Sequence, residues 1–263
     1  MNTSSIEDYG DQEYDYGPEG EEYPQIHAHL HPQVHPQVHG VSRHMPHQEL
    51  GRAQQEHWQR SYRANPRLHS SEPSEPARWT ADRFAYAGID DVLELGSGHG
   101  RDALYLATRG FSVHATDFSD AALDQLRADA QRNGLDDQIT ATLHDVRDPL
   151  PPAAATVGAV YANLLLSMAL TTSELRKLVA EVHRVLRPGG LFVYTALHTD
   201  DPERTHGSDS GDGLYDFDGL TLRFFDRGLV EQLGYGWTSD QVLELTGVPP
   251  HQPMWLVSQC KPH

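Results

Sequence analysis

The sequence predicts an α/β fold built on a doubly wound parallel sheet, and three observations lead to that class. Apolar segments of strand length alternate with amphipathic helical segments from residue 91 onward. The first strand, 91–95, runs into a glycine-rich turn at 96–100 that opens a helix. The second strand, 112–116, ends in Asp117, where a carboxylate is suited to accept the two hydroxyls of a ribose. We therefore expect a nucleoside to bind at the carboxyl edge of the sheet.

Two helices are predicted ahead of the first strand. One covers 49–63 and places Trp58 and Tyr62 one turn apart on the same face. These aromatic residues are either a lid over the ligand or a pair that packs the helix against the core. The other helix begins after Ser74, whose side chain is predicted to cap it, with Pro76 in its first turn.

The predicted core then alternates strand and helix, which favours right-handed crossovers and a parallel sheet. Ser119 is predicted to cap the second core helix, and Asn133-Gly134 to end it. Strands are expected near 91–95, 112–116, 139–144, 157–161, 190–197, 237–246 and 253–260, and helices near 100–108, 119–133, 172–186 and 229–233.

One segment interrupts this alternation. After residue 197, a stretch rich in Gly, Ser and Asp extends to Gly213 and is predicted to be a structureless loop. Loops of this length are usually functional lids or disordered. Phe217, Phe224 and Phe225 follow, and they either wall an aromatic pocket or belong to the core.

The composition divides the 263-residue chain unevenly. Residues 1–47 carry eight acidic residues, one arginine and seven histidines but few large aliphatic side chains. Such a segment cannot bury enough apolar surface to offset the entropy lost on ordering. We expect 1–47 to be a disordered tail, 48–88 to form cap helices, and 89–263 to form the ligand-binding domain.

The charge balance limits the partners. The formal net charge is −18, of which the tail contributes −7 and the remaining residues about −11. A field of this sign repels nucleic acid and anionic membrane surfaces, so neither is an expected partner. The longest apolar run, 157–170, contains Tyr161, Asn163 and Ser167 and is typical of a strand and loop rather than a membrane span. Cys260 is the only cysteine, which excludes an internal disulfide, and we expect a cytoplasmic protein.

The tail contains a short His-Pro-Gln-Val repeat at 31–38. Imidazole side chains suit Zn, Cu and Ni, so one interpretation is a metal-binding tail. The other is a solvated low-complexity segment, which we favour because ordering a flexible site costs conformational entropy. No resident metal is therefore predicted.

The glycine spacing bears on which nucleoside binds. Dinucleotide folds use G-x-G-x-x-G, whereas the spacing here is G-x-G-x-G. Arg101 occupies the position of the third dinucleotide glycine, where helix and strand must pack closely. The sequence therefore disfavours an NAD-binding oxidoreductase.

The pattern Glu94-x-Gly96-x-Gly98-x-Gly100 resembles motif I of the class I S-adenosylmethionine-dependent methyltransferases. Asp145 after the third strand and the Leu-Arg-Pro-Gly-Gly segment 186–190, expected as a turn, resemble later landmarks of that family in the same order. The resemblance implies a Rossmann-like seven-stranded sheet of order 3-2-1-4-5-7-6 with an antiparallel seventh strand. It also implies S-adenosylmethionine as the cofactor.

The resemblance further implies how this cofactor is held. Arg101 and backbone N–H groups of the turn would bind its carboxylate, and Asp117 its ribose. Asp145 would bind the adenine amino group and the Val146 amide a ring nitrogen. The full set implied by the resemblance is Glu94, Gly96, Ser97, Gly98, Gly100, Arg101, Asp117, Phe118, Asp145, Val146 and Asn163.

Three further segments, 100–107, 198–202 and 223–226, resemble the tellurite-resistance-type branch of small methyltransferases, which acts on small molecules. The acidic tail and the long loop depart from the short bacterial members, so no substrate follows. We expect methyl transfer to a small molecule or short peptide, with a protein methyltransferase or a non-catalytic cofactor-binding protein as alternatives. His198, Asp201 and Tyr62 are candidate bases, and each is also consistent with a loop or packing role.

Overall fold

The computed structural model describes residues 47–65, 68, 71–245 and 253–263, with the backbone alone at 47 and 48. Helices α1 (His47–Ala64) and α2 (Glu75–Tyr86) precede the sheet, as predicted. Ser74 caps α2, because its hydroxyl accepts a hydrogen bond from the Ala77 N–H at 3.1 Å. The predictions for the tail and its histidine repeat concern residues that, up to residue 46, lie outside the described residues.

Seven strands form the central sheet and three form a smaller one. The strands are β1 (Asp91–Leu95), β2 (Ser112–Asp117), β3 (Ile139–Leu143), β4 (Val157–Ala162), β5 (Leu186–Leu197), β6 (Ser208–Gly211), β7 (Leu214–Phe217), β8 (Leu220–Arg223), β9 (Thr238–Leu245) and β10 (Met254–Cys260). The central order is β3-β2-β1-β4-β5-β10-β9. The first five strands are parallel, and β10 is antiparallel to both of its neighbours. This confirms the order 3-2-1-4-5-7-6, with β10 as the seventh strand.

Helices cover both faces of the central sheet. They are α3 (Arg101–Thr108), α4 (Asp120–Arg132), α5 (Thr172–Val185) and α6 (Arg227–Leu233). Alternate residues of each strand face opposite layers: Val92 packs with α2, α3 and α4, whereas Leu93 packs with α5 and α6. Every helix in the described ranges is too short or too polar to cross a membrane.

The structure contradicts the prediction of a structureless loop after residue 197. A short 3₁₀ helix (Pro202–His206) is followed by β6, β7 and β8, which form an antiparallel three-stranded sheet. Two Asp-Gly turns, 212–213 and 218–219, join its strands, and all four residues have positive φ. Asp-Gly is a strong hairpin signal that the sequence analysis did not use. We call this three-stranded unit, 208–223, the insertion sheet.

The Leu-Arg-Pro-Gly-Gly segment also differs from its prediction as a turn before the strand. It begins β5 itself, which starts at Leu186 and not near 190. The pairing with β4 is irregular between Val157 and Ala159. Gly189 has φ +78° and donates its N–H to the Lys261 carbonyl at 2.9 Å, so the bend is held within the sheet.

Candidate functional site

A cavity lies at the carboxyl ends of β1 to β4, beneath α1. Its lining includes ten of the eleven residues that the resemblance implied, namely Glu94, Gly96, Ser97, Gly98, Arg101, Asp117, Phe118, Asp145, Val146 and Asn163. The fold therefore brings them together from four separate strand ends, as expected for an open α/β sheet. Gly100 is the exception and does not line the cavity.

The glycine turn is closely packed as well as flexible. Gly98 has φ +54°, and a Cβ there would overlap the hydroxyl of Tyr62 on α1. Gly100 has φ +87° and caps α3, and a Cβ there would lie 2.2 Å from Leu126 Cδ1. Gly100 is thus required for helix packing, whereas Gly98 lets the end of α1 close directly over the turn.

Asp117 is fixed beside this turn. Its Oδ2 accepts the Gly98 N–H at 2.9 Å and its Oδ1 accepts the Ser119 N–H at 2.8 Å, while the residue is 7% exposed. Burial raises the pKa of Asp117 to about 6, although these backbone donors act in the opposite direction. One N–H of the turn is therefore already used to orient the carboxylate. Each carboxylate oxygen retains a second acceptor site.

Glu94, at the end of β1, is 2% exposed. Burial, with the charges of Asp102 and Asp117, raises the pKa of Glu94 well above its usual range. The same surroundings that raise this pKa favour the protonated form of the Glu94 carboxyl group, which can donate as well as accept a hydrogen bond. Its Oε2 is buried and makes no hydrogen bond within the described ranges.

Asp102 is a cavity residue that the sequence analysis missed. Its carboxylate accepts hydrogen bonds from the N–H and the hydroxyl of Ser74, both at 2.8 Å. It also accepts the Tyr161 hydroxyl at 3.3 Å and the Asn163 amide at 3.1 Å. The only available signal was an acid in the first turn of α3, which by itself indicates no more than a favourable helix dipole contact.

The end of β3 supplies the other side of the cavity. Arg147 contacts Asp145 at 3.1 Å and Glu174 at 3.3 Å, and it donates to the Ala169 carbonyl at 2.9 Å. Asp145 is thus held by a neighbouring arginine while it lines the cavity. The His144 Nε2 atom is buried and makes no hydrogen bond within the described ranges.

The three candidate bases are placed differently. Tyr62 lines the cavity, and burial followed by the charge of Asp117 raises its pKa, so its hydroxyl remains protonated. His198 lies against the Trp255 ring at a centroid distance of 4.7 Å and accepts the Asp200 N–H at 2.9 Å. Asp201 accepts the Glu203 N–H at the start of the 3₁₀ helix. Neither His198 nor Asp201 lines the cavity.

The sequence left open whether Phe217, Phe224 and Phe225 wall a pocket or belong to the core, and the structure supports the core. Phe217 and Phe224 pack in one apolar cluster, Phe225 belongs to the central core, and none of the three lines the cavity. The insertion sheet contributes Leu222 to the lining instead, and α1 contributes Gln54 and Trp58. The alternation of apolar and polar residues in a short strand does not show which side chains reach a distant cavity. The sequence therefore contained no signal that identified Leu222 as a lining residue.

The donor set fits the predicted cofactor. Four buried side-chain atoms that make no hydrogen bond within the described ranges belong to cavity-lining residues, namely Glu94 Oε2, Ser97 Oγ, His144 Nε2 and Arg147 Nε. Arg147 Nε is ion-paired with Glu174 at 3.3 Å, so the other three need a partner. A buried polar atom is stable only with a partner, which indicates a ligand rich in donors and acceptors on this side of the cavity. The amino-acid, ribose and adenine groups of S-adenosylmethionine have that chemistry.

Residues 92–190 match the family model of a methyltransferase domain. This segment contains the glycine turn, Asp117, Asp145 and Asn163. The similarity to methyltransferase domains therefore covers the part of the chain that supplies most of the cavity lining.

A solved methyltransferase structure shares the fold around this domain. The 1,6-didemethyltoxoflavin-N1-methyltransferase of Burkholderia thailandensis, solved with 1,6-didemethyltoxoflavin and S-adenosylhomocysteine, aligns with a TM-score of 0.66 at 19% identity. The alignment covers 85% of this chain and 94% of that one. At this identity the similarity establishes the fold of the methyltransferase domain and its flanking elements.

Curated relatives match over shorter stretches. A dimethylglycine N-methyltransferase of Parasynechococcus marenigrum is 31% identical over 150 residues, which are 53% of this chain and 50% of that protein. An S-adenosyl-L-methionine-dependent Diels-Alderase of Talaromyces variabilis is 38% identical over 104 residues, or 39% and 34% of the two chains. The chain spans about half the length, or less, of these curated relatives. The resemblance to the tellurite-resistance-type branch stays a prediction.

Proposed function

We propose that this protein is an S-adenosylmethionine-dependent methyltransferase that acts on a small molecule or short peptide. The observation that carries the proposal is the hydrogen bond between Asp117 and the glycine turn. The Gly98 N–H donates to the buried Asp117 carboxylate and so holds it at the carboxyl ends of β1 and β2. The match of 92–190 to a methyltransferase domain supports the same function. The enclosed position of the cavity under α1 favours a small acceptor over a folded protein.

The residues that would hold the cofactor follow from their positions. Asp117 would accept the ribose hydroxyls, Arg101 would bind the carboxylate, and Asp145 and Val146 would bind the adenine. The remaining cofactor contacts would come from Glu94, Ser97, Phe118 and Asn163. The turn at Gly96 and Gly98 would lie against the cofactor, and Gly100 would hold the first residue of α3. When bound, S-adenosylmethionine supplies an electrophilic methyl group, whose transfer to an acceptor lone pair breaks the carbon–sulfur bond and leaves that electron pair on sulfur.

The protein's own contribution is alignment and exclusion of water. Helix α1 is held over the cavity by side-chain hydrogen bonds to the start of α4. Gln55 donates to the Phe118 carbonyl at 2.9 Å, and Gln59 accepts the Ser119 hydroxyl at 2.6 Å. Gln125 of α4 in turn donates to the Tyr62 carbonyl at 3.0 Å. Tyr62, which remains protonated, would act as a hydrogen-bond donor and not as a base.

A second candidate is a protein that binds S-adenosylmethionine without transferring its methyl group. It is favoured by one observation, the similarity of 104 residues to a protein named as a Diels-Alderase dependent on that cofactor. Both candidates require the same cofactor site, so product analysis separates them.

The first test measures binding and transfer together. Asp117→Ala removes two charge-assisted hydrogen bonds of about 1.5–3 kcal/mol each, so S-adenosylhomocysteine should bind at least about tenfold more weakly by calorimetry. Asp137→Ala, which alters an exposed aspartate on a turn after α4, is the matched control and should bind normally. Unchanged affinity in Asp117→Ala would contradict the proposed ribose contact.

The transfer test uses methyl-labelled S-adenosylmethionine with the purified chain and a cell lysate, fractionated by size. Label in the small-molecule fraction supports the proposed activity and yields the product for identification. Label in the macromolecular fraction shifts the function to protein methylation. Cofactor binding without label in either fraction favours the second candidate.

A further inference from the structure

Part of the cavity is lined by uncharged residues that lie outside the contacts proposed for the cofactor. We define this part, the second compartment, by six lining residues, Gln54, Trp58, Leu164, Met168, Leu197 and Leu222. They come from α1, from the segment that follows β4, from the end of β5 and from the insertion sheet, and five of them pack in one apolar cluster. Since a methyltransferase must hold an acceptor beside its cofactor, we expect the acceptor to contact this group.

The walls of this compartment are apolar and held in place. Trp58, Leu197 and Leu222 are buried and belong to one apolar cluster with the insertion sheet. Both polar atoms of the Gln54 amide are hydrogen-bonded to the backbone of the insertion sheet. Its Nε2 donates to the Gly219 carbonyl at 3.0 Å, and its Oε1 accepts the Thr221 N–H at 3.3 Å. Gln54 therefore joins α1 to the insertion sheet, and its polar atoms are engaged on the side of that sheet.

The wall that follows β4 is also fixed. Leu164 has φ +56°, a left-handed conformation that is costly for a branched apolar residue. Its N–H donates to the Thr195 hydroxyl at 2.8 Å, and that hydroxyl donates to the side-chain oxygen Oδ1 of Asn163 at 2.7 Å. The strained position is thus maintained by a network that ends on Asp102. A preformed wall favours an acceptor of fixed shape.

None of the six compartment residues carries a formal charge. The cavity's two arginines already have carboxylate partners. Arg147, which lies beside Gly51 of α1, contacts Asp145 at 3.1 Å and Glu174 at 3.3 Å, and Arg101 lies 3.7 Å from Asp102. An ion bound between Trp58 and Leu222 would have no counter-ion from these walls, and an unpaired buried charge is strongly unfavourable.

We propose that the methyl acceptor is a neutral, predominantly apolar small molecule with a flat face that packs on Trp58. This inference rests on the proposed function, because it assigns the acceptor of the same site. It argues against oxyanions, carboxylates and protonated amines, including the lysine side chain of a protein. The acceptor's nucleophilic atom would be a neutral oxygen, nitrogen, sulfur or carbon centre, whose electron pair forms the bond to the methyl carbon as the carbon–sulfur bond breaks. The positive charge passes from the cofactor sulfur to the acceptor, and an acceptor with a hydrogen on that atom then releases the proton to solvent.

The test compares neutral and charged probes that share a ring. Three matched sets are titrated into protein saturated with S-adenosylhomocysteine, each containing the methyl-, carboxymethyl- and aminoethyl-substituted form of indole, naphthalene or benzene. Binding is followed by ligand-observed saturation-transfer NMR. In at least one set the neutral member should bind at least tenfold more tightly than both charged members. Equal or tighter binding of a charged member in every set, or no binding of any neutral member, overturns the proposal.

Variants locate the binding. Trp58→Ala and Leu222→Asn should each weaken the neutral probe at least fivefold while S-adenosylhomocysteine still binds, which also shows that the variants fold. Tyr235→Ala, which removes an aromatic ring that is 93% exposed and outside the cavity, should leave probe binding unchanged. If a neutral probe binds both cavity variants as tightly as it binds the wild type, the assignment of the compartment is wrong. If the wild type fails to bind S-adenosylhomocysteine, the proposed function itself is wrong and this inference falls with it.

Discussion

Gly98→Ala should destabilise the protein through a collision with one atom of α1. A residue with a Cβ at φ +54° is strained by about 1–2 kcal/mol. The new methyl group would also overlap the Tyr62 hydroxyl, and overpacking of this kind costs about 1–3 kcal/mol. We therefore expect the free energy of unfolding to fall by about 2–5 kcal/mol, measured by urea denaturation monitored by circular dichroism.

Two matched variants separate these contributions. Gly134 has φ +66° and no heavy atom within 4 Å of an added Cβ, so Gly134→Ala should cost only the backbone strain. Tyr62→Phe removes the colliding oxygen and leaves the ring carbon Cζ 3.3 Å from the added Cβ, a distance that a small adjustment accommodates. In the Tyr62→Phe background, Gly98→Ala should therefore cost about as much as Gly134→Ala, which corresponds to a coupling of about 1–3 kcal/mol in a double-mutant cycle.

The cycle gives a clear refutation. If Gly98→Ala costs no more than Gly134→Ala, the close contact between α1 and the glycine turn is wrong. If the cost is the same with and without the Tyr62 hydroxyl, another atom limits the space at Gly98. Either result would remove the structural reason for treating α1 as a cover of the cavity.

Three further variants test charges in and around the site. Asp117→Asn should remove a pH dependence. Burial raises the pKa of Asp117 from 3.8 to about 6, so the folded state keeps a proton that the unfolded state loses. Wild-type stability should therefore fall by about 3 kcal/mol relative to the variant as the pH rises from about 3 to about 7 in urea titrations. In the wild type the buried Arg223 guanidinium lies 3.1 Å from the Asp212 carboxylate, and Asp212→Asn removes this counter-ion. Because Asp212 is partly exposed, we expect the free energy of unfolding to fall by about 1–2 kcal/mol. An unchanged free energy of unfolding would show that solvent screens the arginine. Asn163→Asp places a second carboxylate against Asp102 and should lower the free energy of unfolding by about 1–3 kcal/mol at pH 7. This destabilisation should become smaller below pH 4, where the carboxyl groups gain protons. A destabilisation that does not depend on pH would indicate an altered shape of the site and not charge repulsion.

The sequence was sufficient for the central sheet because its signals are local. Alternating apolar segments located β1 to β5, and the caps Ser74 and Ser119 marked two helix starts within a residue. The strand order came from a family resemblance, since periodicity says nothing about which edge a strand joins. Asp117 could be predicted because the last residue of a parallel strand lies at the carboxyl edge of the sheet, and the structure places it there, in the cavity lining.

The sequence was insufficient where contacts are distant or polar. Asp102 has an ordinary helical position, and its role depends on Ser74 and Asn163, which lie 28 and 61 residues away. The strand β6 reads Ser-Asp-Ser-Gly and has no apolar alternation, so the Asp-Gly turn after it was the one local sign of a hairpin, and the prediction of a loop overlooked it. His198 and Asp201 were chosen for proton-transfer chemistry, but the end of β5 directs His198 toward Trp255 and away from the cavity.

The two halves of the cavity are therefore encoded in different ways. The cofactor half is made of strand ends and one turn between Glu94 and Asn163, and this range lies within the segment that matches a methyltransferase domain. The acceptor half depends on Gln54 meeting Gly219, a contact that spans 165 residues and joins an N-terminal helix to an inserted sheet, both outside that segment. Changes in either element alter the acceptor walls without disturbing the glycine turn. Under the proposed function, we therefore expect α1 and the insertion sheet to determine the substrate of this protein.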